Sequence, residues 1–361
     1  MKPKQIIPLQ ALKLISWNFP DIFPMIDEVV EERDPEMANR WDHKLVYAPV
    51  GLAKAAMLEI GGPAATLLHS LDLALVTALA GWRKAKTVYD FSPALAEELV
   101  KSAQPEELTM PLSTLALPYW SIYIKPNIKA WDIDGFFVYY DDDLNSKTGK
   151  HIKELRFTPL SKNGDALPTI YLMQNESEEI CIKDAIDAIL NEANRADIRA
   201  DIPRSLRVLR MNTVLTPDST DQAAEELGKL AAQMISFVLY LSAVNADMKR
   251  DTALPFKRTK QVRDIAREVE HIHVGDEVAV RIRTMNNHPT PRTDSEPLGG
   301  HHRSPVTHVR RAHWHTFHVG EGRKKTRVKW LAPVVVNADG EQKNIVTINK
   351  INKDMGKLLS D

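Results

Sequence analysis

The spacing of apolar residues divides the first two thirds of the chain into helical and extended regions. Helical spacing in the first quarter predicts helices over residues 9–16, 22–32, 52–60 and 64–86. β-Branched and aromatic runs between turn-rich pieces then predict four strands, over 120–125, 135–140, 153–159 and 168–173. We expect these strands to form an antiparallel meander. Helical spacing returns over 182–195 and 220–244.

The last third of the chain has a different pattern. Residues 261–269 are predicted to form a short helix, and alternation over 276–285 predicts a strand with one charged face. Four prolines and a Gly-Gly pair predict a long loop over 286–306. Beyond it, residues 308–319, 326–336 and 344–349 are predicted to form a three-stranded sheet, with its first turn at Gly320-Glu321-Gly322. We therefore expect an α+β fold, with a helical N-terminal part, an antiparallel meander, and a C-terminal antiparallel β-sheet or hairpin region.

Charge separates the same two regions. Residues 1–248 carry 25 Lys and Arg against 35 Asp and Glu, whereas residues 249–361 carry 22 against 13. Nine of the twelve histidines lie in the basic part. We expect an acidic body over 1–250 and a basic, His-rich C-terminal region over 251–361. Clustered basic residues interleaved with aromatic residues are typical of a phosphate-backbone binder, and a solvated basic face is the alternative.

Composition and motifs exclude several classes of protein. The single cysteine, Cys181, cannot form an internal disulfide, and the absence of a signal sequence at Met1 favours a reducing cytoplasm. No apolar stretch is long enough to predict a membrane span. The sequence has no Walker loop, GxGxxG, HExxH or serine-elbow motif, and we expect no cofactor. The acidic run Asp141-Asp142-Asp143 lacks the ligand spacing of a calcium loop, so we interpret it as a solvated turn.

Two histidines carry the candidate chemistry. On a strand, His313 and His315 point to the same side, and on the next strand Arg327 and Lys329 do the same. A matching register predicts a face with two histidines and two cations. Such a face is suited to phosphate or peptide contact, and also to acid/base cleavage of RNA, in which one histidine takes the 2′-OH proton and the other protonates the leaving oxygen. A structural role, or zinc binding with His308 or His318, is a further interpretation, although no third metal ligand can be placed from the sequence.

The segment from Pro305 to Phe317, with Gly320-Glu321-Gly322 and the run from Arg327 to Pro333, resembles the C-terminal signature of an anti-CRISPR family. This family is encoded by phages and other mobile elements, and it inhibits the type V-A CRISPR effector nuclease. Collinear matches occur around Gly81-Trp82-Arg83, Leu117-Pro118-Tyr119-Trp120 and Gly135-Phe136. The matched signature positions include Trp82, Arg83, Trp120, Trp314 and Trp330. The first 50 residues align poorly, so this member could read a different nascent protein.

The resemblance implies a protein that lowers production of the effector in the bacterial cytoplasm. Members of the family recognise the N-terminal nascent peptide of the effector during translation and cause loss of its mRNA. We infer that the acidic body binds this peptide, and that the basic region contacts mRNA or the translating ribosome through Arg310, Arg311, His313, His315, Arg327 and Lys329. Trp314 is then either a core residue or a stacking platform. The alternatives are a two-histidine ribonuclease with His313 and His315 as candidate catalytic residues, or a basic DNA-binding protein of a mobile element.

Overall fold

Seven strands form one mixed sheet. The computed structural model describes residues 6–32, 41–61, 70–144, 151–167, 169–175, 180–193, 220–250, 269–287 and 308–336. The sheet contains β1 (Thr87–Phe91), β2 (Ser121–Lys125), β3 (Ile133–Leu144), β4 (His151–Ser161), β5 (Ile170–Asn175), β6 (Met248–Arg250) and β7 (Glu270–Val274). Their order in the sheet is β5-β4-β3-β2-β1-β7-β6.

The predicted meander is confirmed, because β2 to β5 pair with their chain neighbours in antiparallel fashion. The prediction missed β1, which lies parallel to both β2 and β7 and makes the large sheet mixed. Nearly every residue of β1 is buried, so it has no polar face and lacks the alternation that reveals a strand. The boundary near residue 250 stays a prediction; β7 follows it in the chain and is hydrogen-bonded within the sheet.

Eight helices lie in the described ranges: α1 (Ile7–Asn18), α2 (Ile22–Glu32), α3 (Val50–Gly61), α4 (Ser70–Ala85), α5 (Pro93–Ser102), α6 (Ile182–Ala193), α7 (Thr220–Ser242) and α8 (Asp276–Asn287). The helices predicted over 9–16, 22–32, 52–60, 182–195 and 220–244 are confirmed as α1, α2, α3, α6 and α7. Of the helix predicted over 64–86, residues 64–69 lie outside the described ranges. The prediction missed α5.

Both faces of the sheet are buried, each against a different set of helices. On β2 and β3, alternate residues divide between the two sides: Tyr123 and Phe137 pack in one cluster, and Ile122, Ile124 and Phe136 pack in the other. The first cluster includes residues of α1 to α4, and the second includes residues of α5 to α8. The alternation of strand side chains thus places the N-terminal helices on one side of the sheet and the later helices on the other.

The strand predicted over 276–285 was wrong, because this segment is helix α8. The Asp247 carboxylate accepts the backbone N–H of Glu277 at 2.7 Å, which satisfies a donor at the start of the helix. Ala279 and Ile282, three positions apart, are buried, whereas Val280 is 59% exposed. The alternation of apolar residues is therefore incidental, and the helical period decides which side chains are buried.

The acidic run at residues 141–143 also differs from its prediction, since it belongs to β3 and not to a solvated turn. Asp141 and Asp142 are 1% and 4% exposed. Asp141 accepts the backbone N–H of Val50 at 2.9 Å and lies 3.0 Å from an Arg156 nitrogen. Asp142 lies 2.8 Å from Nδ1 of His151. Buried carboxylates require such partners, and here they hold the segment before α3 against the sheet.

The C-terminal region contains two short antiparallel ladders. β8 (His308–Arg310) pairs with β11 (Val334–Val336), and β9 (His313–Val319) pairs with β10 (Lys325–Leu331). The register is continuous between the ladders, so they form one two-stranded ribbon that is interrupted at residues 311–312 and 332–333. The predicted third strand, 344–349, lies outside the described residues, as do residues 261–268 of the predicted helix and 288–306 of the predicted loop.

Candidate nucleic-acid interface

The candidate site is one face of the β9–β10 hairpin. Gly320 and Gly322 have φ angles of +83° and +66°, which glycine adopts without strain, and they form the predicted turn between the strands. His315 lies directly opposite Lys329, and Phe317 lies directly opposite Arg327. Directly opposite residues of an antiparallel pair project to the same side. The register therefore places His313, His315, Arg327 and Lys329 on one face, which we call the basic face and which also includes Phe317 and Lys325.

The opposite face of the hairpin is anchored in the core. Val328 and Trp330 are 1% and 2% exposed, and the Trp330 ring packs edge-on against Tyr240 of α7, with centroids 5.8 Å apart. Trp314 lies opposite Trp330 and packs, half-buried, against the same cluster. Of the two interpretations of Trp314, the structure thus favours a core residue over a stacking platform.

The chain after α7 holds the outer edge of β10. Asn245 Nδ2 donates to the Trp330 carbonyl at 2.8 Å, and the Trp330 backbone N–H donates to Asn245 Oδ1 at 3.1 Å. The Val244 N–H donates to the Val328 carbonyl at 3.1 Å. These bonds satisfy backbone groups that an open strand edge would leave exposed, and they fix the orientation of the basic face on the body.

The basic face carries positive charge without ionic compensation in the part of the chain that the structure describes. Lys325, Arg327 and His315 are exposed, and His313 and Lys329 are half-buried. Among the ion pairs of the described residues, none involves Lys325, Arg327 or Lys329. Unpaired cations on an exposed strand are free to contact phosphate groups.

The two remaining predicted contacts, Arg310 and Arg311, do not join this face. Arg310 ends β8 in the neighbouring ladder, and Arg311 lies between the ladders. The Arg311 guanidinium forms an ion pair with Glu107, so part of its charge is already compensated. The strand pattern did not show this, because the break at residues 311–312 leaves no signal in the alternation of side chains.

The geometry of the histidines bears on the other interpretations of the pair. Nδ1 of His313 lies 3.2 Å from the Arg311 carbonyl, and the His315 ring lies nearly parallel to Phe317. Within the described residues, no group of three His, Cys, Asp or Glu side chains is placed to hold a metal ion. The shared face keeps both histidines accessible to a phosphate backbone, and general acid/base chemistry by this pair stays a prediction.

Three signature residues lie far from the hairpin and have packing roles. Trp82 is fully buried, and its Nε1 donates to the Thr87 carbonyl at 2.8 Å. Trp120 donates to the His43 carbonyl at 2.9 Å while remaining 38% exposed. Arg83 forms an ion pair with Asp27 and lies over the Phe23 ring, 4.8 Å from its centroid. These contacts connect α4 and β2 to the N-terminal segments.

The ion pair of Arg83 and Asp27 affects the carboxylate strongly. Burial by itself would raise the pKa of Asp27, but hydrogen bonds from Arg83 and Tyr47 and the charge of Arg83 outweigh it. The pKa of Asp27 is therefore lower than its ordinary value of 3.8. Because Asp27 compensates Arg83, this cluster offers little free charge to a ligand.

Among the described helices, none is long and apolar enough to cross a membrane. A family model described as the anti-CRISPR type V subtype A2 family, AcrVA2-like, matches residues 89–338. This range includes Trp120, Trp314 and Trp330 but not Trp82 or Arg83. The chain is also similar to the crystal structure of AcrVA2, with a TM-score of 0.59 and 14% identity over 92% of this chain and 100% of the other. A search of curated protein sequences found no match.

Proposed function

Because this chain belongs to the anti-CRISPR type V subtype A2 family, we propose that it lowers production of a type V-A CRISPR effector nuclease. It recognises the N-terminal nascent peptide of the effector during translation and causes loss of the mRNA being translated. The observation that carries the RNA part of this proposal is the basic face of the hairpin, which is anchored on one side and exposed on the other.

The RNA contact is argued from charge and position. Lys325, Arg327 and Lys329 are two residues apart along β10 and therefore project to the same side. The basic face has no ion pair to these cations in the described part of the chain, so binding a phosphate backbone breaks no such internal contact. Counterion release from the RNA then favours association. A translating ribosome presents both mRNA and ribosomal RNA, and either would supply such a backbone.

The peptide contact is assigned to the acidic body. On α1, Leu14 and Trp17 are 54% and 84% exposed and lie three positions apart, so they share one side of the helix. The next helix, α2, adds the exposed carboxylates Glu28 and Glu31. Exposed apolar side chains near acidic residues suit a peptide rich in Lys and apolar residues. These helices precede the residues that the family model matches, which supports a target preference that differs within the family.

A reporter with the first codons of a type V-A effector tests the proposal. Three versions are compared: the native codons, synonymous codons that encode the same peptide, and two compensating frameshifts that keep most nucleotides but change the peptide. Expression of this protein is expected to deplete the first two messages and to spare the third. Equal loss of the frameshifted message, or an inhibited effector with unchanged message, contradicts the proposal.

A second candidate function is RNA cleavage by His313 and His315, supported by their position on one face opposite Lys329 and Leu331. Purified protein would then cleave RNA without other factors, and His313→Ala or His315→Ala would abolish cleavage while peptide binding persisted. His318→Ala is the matched control, because His318 lies on the same strand and projects to the opposite face. Absence of cleavage by the wild-type protein eliminates this function and leaves message loss to host ribonucleases.

A further inference from the structure

The basic face contains a pair of aromatic rings that charge alone does not explain. The rings of His315 and Phe317 have centroids 6.3 Å apart and planes that differ by 19°. His315 is exposed, and Phe317 is half-buried near the end of the strand, away from the Trp330 anchor. An apolar ring on an otherwise basic and polar strand face has no evident role in holding the hairpin to the core.

We propose that the basic face binds single-stranded RNA, with unpaired bases stacked on the His315–Phe317 ring pair and phosphates contacted by Arg327 and Lys329. This inference rests on the proposed function, since it specifies which form of RNA the hairpin contacts. It also assigns a role to Phe317, which the sequence pattern did not single out.

The register supports this arrangement. Phe317 lies directly opposite Arg327, and His315 lies directly opposite Lys329. Directly opposite residues have Cβ atoms about 5 Å apart, so each ring has a cation beside it. Rings that take bases, alternating with cations that take phosphates, are the combination by which proteins bind single strands with little sequence preference.

The ring pair also discriminates against duplexes. In a duplex the faces of the bases are occupied by neighbouring bases, so an aromatic side chain finds no free base surface. The major groove of A-form RNA is too narrow and deep for side chains to read. A duplex would therefore contact only the cations, whereas a single strand would contact both the cations and the rings. The segment of mRNA at a translating ribosome supplies unpaired bases.

Binding of fluorescent oligonucleotides to the full chain tests this inference. The probes are a 12-nucleotide unstructured RNA and a blunt RNA duplex of the same length, measured by anisotropy. Phe317→Leu keeps an apolar side chain but removes the ring, and it is expected to weaken single-strand binding about 5- to 100-fold. The same change should leave duplex binding, and the dependence of single-strand affinity on salt, unchanged. His318→Ala serves as the control, because His318 lies one residue away on the opposite face.

The outcomes separate this inference from the proposed function. Wild-type binding of single strands by Phe317→Leu, or equal affinity of the wild-type protein for duplex and single strand, overturns the stacking role. Loss of RNA binding in a variant without Arg327 and Lys329, combined with no effect of Phe317→Leu, overturns stacking but keeps RNA contact. Absence of binding of the wild-type protein to either probe contradicts RNA contact itself.

Discussion

Neutralising Arg327 and Lys329 should weaken RNA binding by an amount that the basic face lets us calculate. In the described residues neither side chain has an ion pair, so Arg327→Gln with Lys329→Gln removes two phosphate contacts and breaks no internal salt bridge. Each contact with single-stranded nucleic acid contributes about 0.7 to the slope of log K against log salt. The double variant should lower this slope by about 1.4. At about 0.1 M salt the corresponding loss of affinity is roughly 25-fold.

The assay is anisotropy of a labelled single-stranded RNA at four salt concentrations, with thermal unfolding to check the fold. The matched control is Lys13→Gln with Lys54→Gln, which removes two exposed cations from α1 and α3 on the other side of the sheet. This control should keep the wild-type slope. An equal decrease of the slope in both double variants would show that net charge matters and not the basic face, and it would refute the assignment.

Three further predictions concern the stability of the structure that presents this face. Asn245→Ala removes both hydrogen bonds to the Trp330 backbone and should lower the free energy of unfolding by about 1–3 kcal/mol in urea titrations, whereas Asn163→Ala, in an exposed turn, should not. Asp141→Asn leaves the buried Arg156 with less compensating charge and should cost about 3–5 kcal/mol; an unchanged urea midpoint contradicts the role of this pair. Because the pKa of Asp27 is lowered, its contribution is complete above the ordinary pKa of 3.8 and is lost as the pH falls through the lower, folded-state pKa. The difference in Tm between wild type and Asp27→Asn should therefore be constant from about pH 5 to 7 and shrink below about pH 4; a difference that persists at pH 3 argues against this contribution.

The helices and the meander could be predicted from the sequence because each has one buried side. In β3, Phe136 and Phe137 alternate between two cores, and in α7 the apolar residues recur at helical spacing. The parallel strands could not be predicted in this way. β1 is buried on both faces and only five residues long, so it has no period to detect.

Two errors have a common physical origin, since tertiary partners overrode a local pattern. In α8 the capping carboxylate comes from Asp247, which is 29 positions before Asp276 and invisible in a local window. The run Asp141-Asp142-Asp143 looked solvated because three charges in succession are usually exposed. Arg156 and His151 on the neighbouring strand provide the counterparts that allow Asp141 and Asp142 to be buried.

The basic face itself was predictable in part. Alternation placed His313 and His315 together, and the turn at Gly320 and Gly322 set the hairpin register that brings Arg327 and Lys329 to the same side. The role of Phe317 and the separation of Arg311 were not predictable. Both depend on where the ribbon is interrupted and on which body residues, such as Glu107, lie beside it.

Mapping of ultraviolet cross-links between this protein and RNA in translating ribosome complexes tests the central claim most directly. Complexes stalled while producing the N-terminal peptide of a type V-A effector are irradiated, and the cross-linked residues are identified by mass spectrometry. The account predicts cross-links in β9 and β10, at residues such as His315, Phe317 and Lys329. Cross-links confined to residues 1–250, with none in the hairpin, would contradict it.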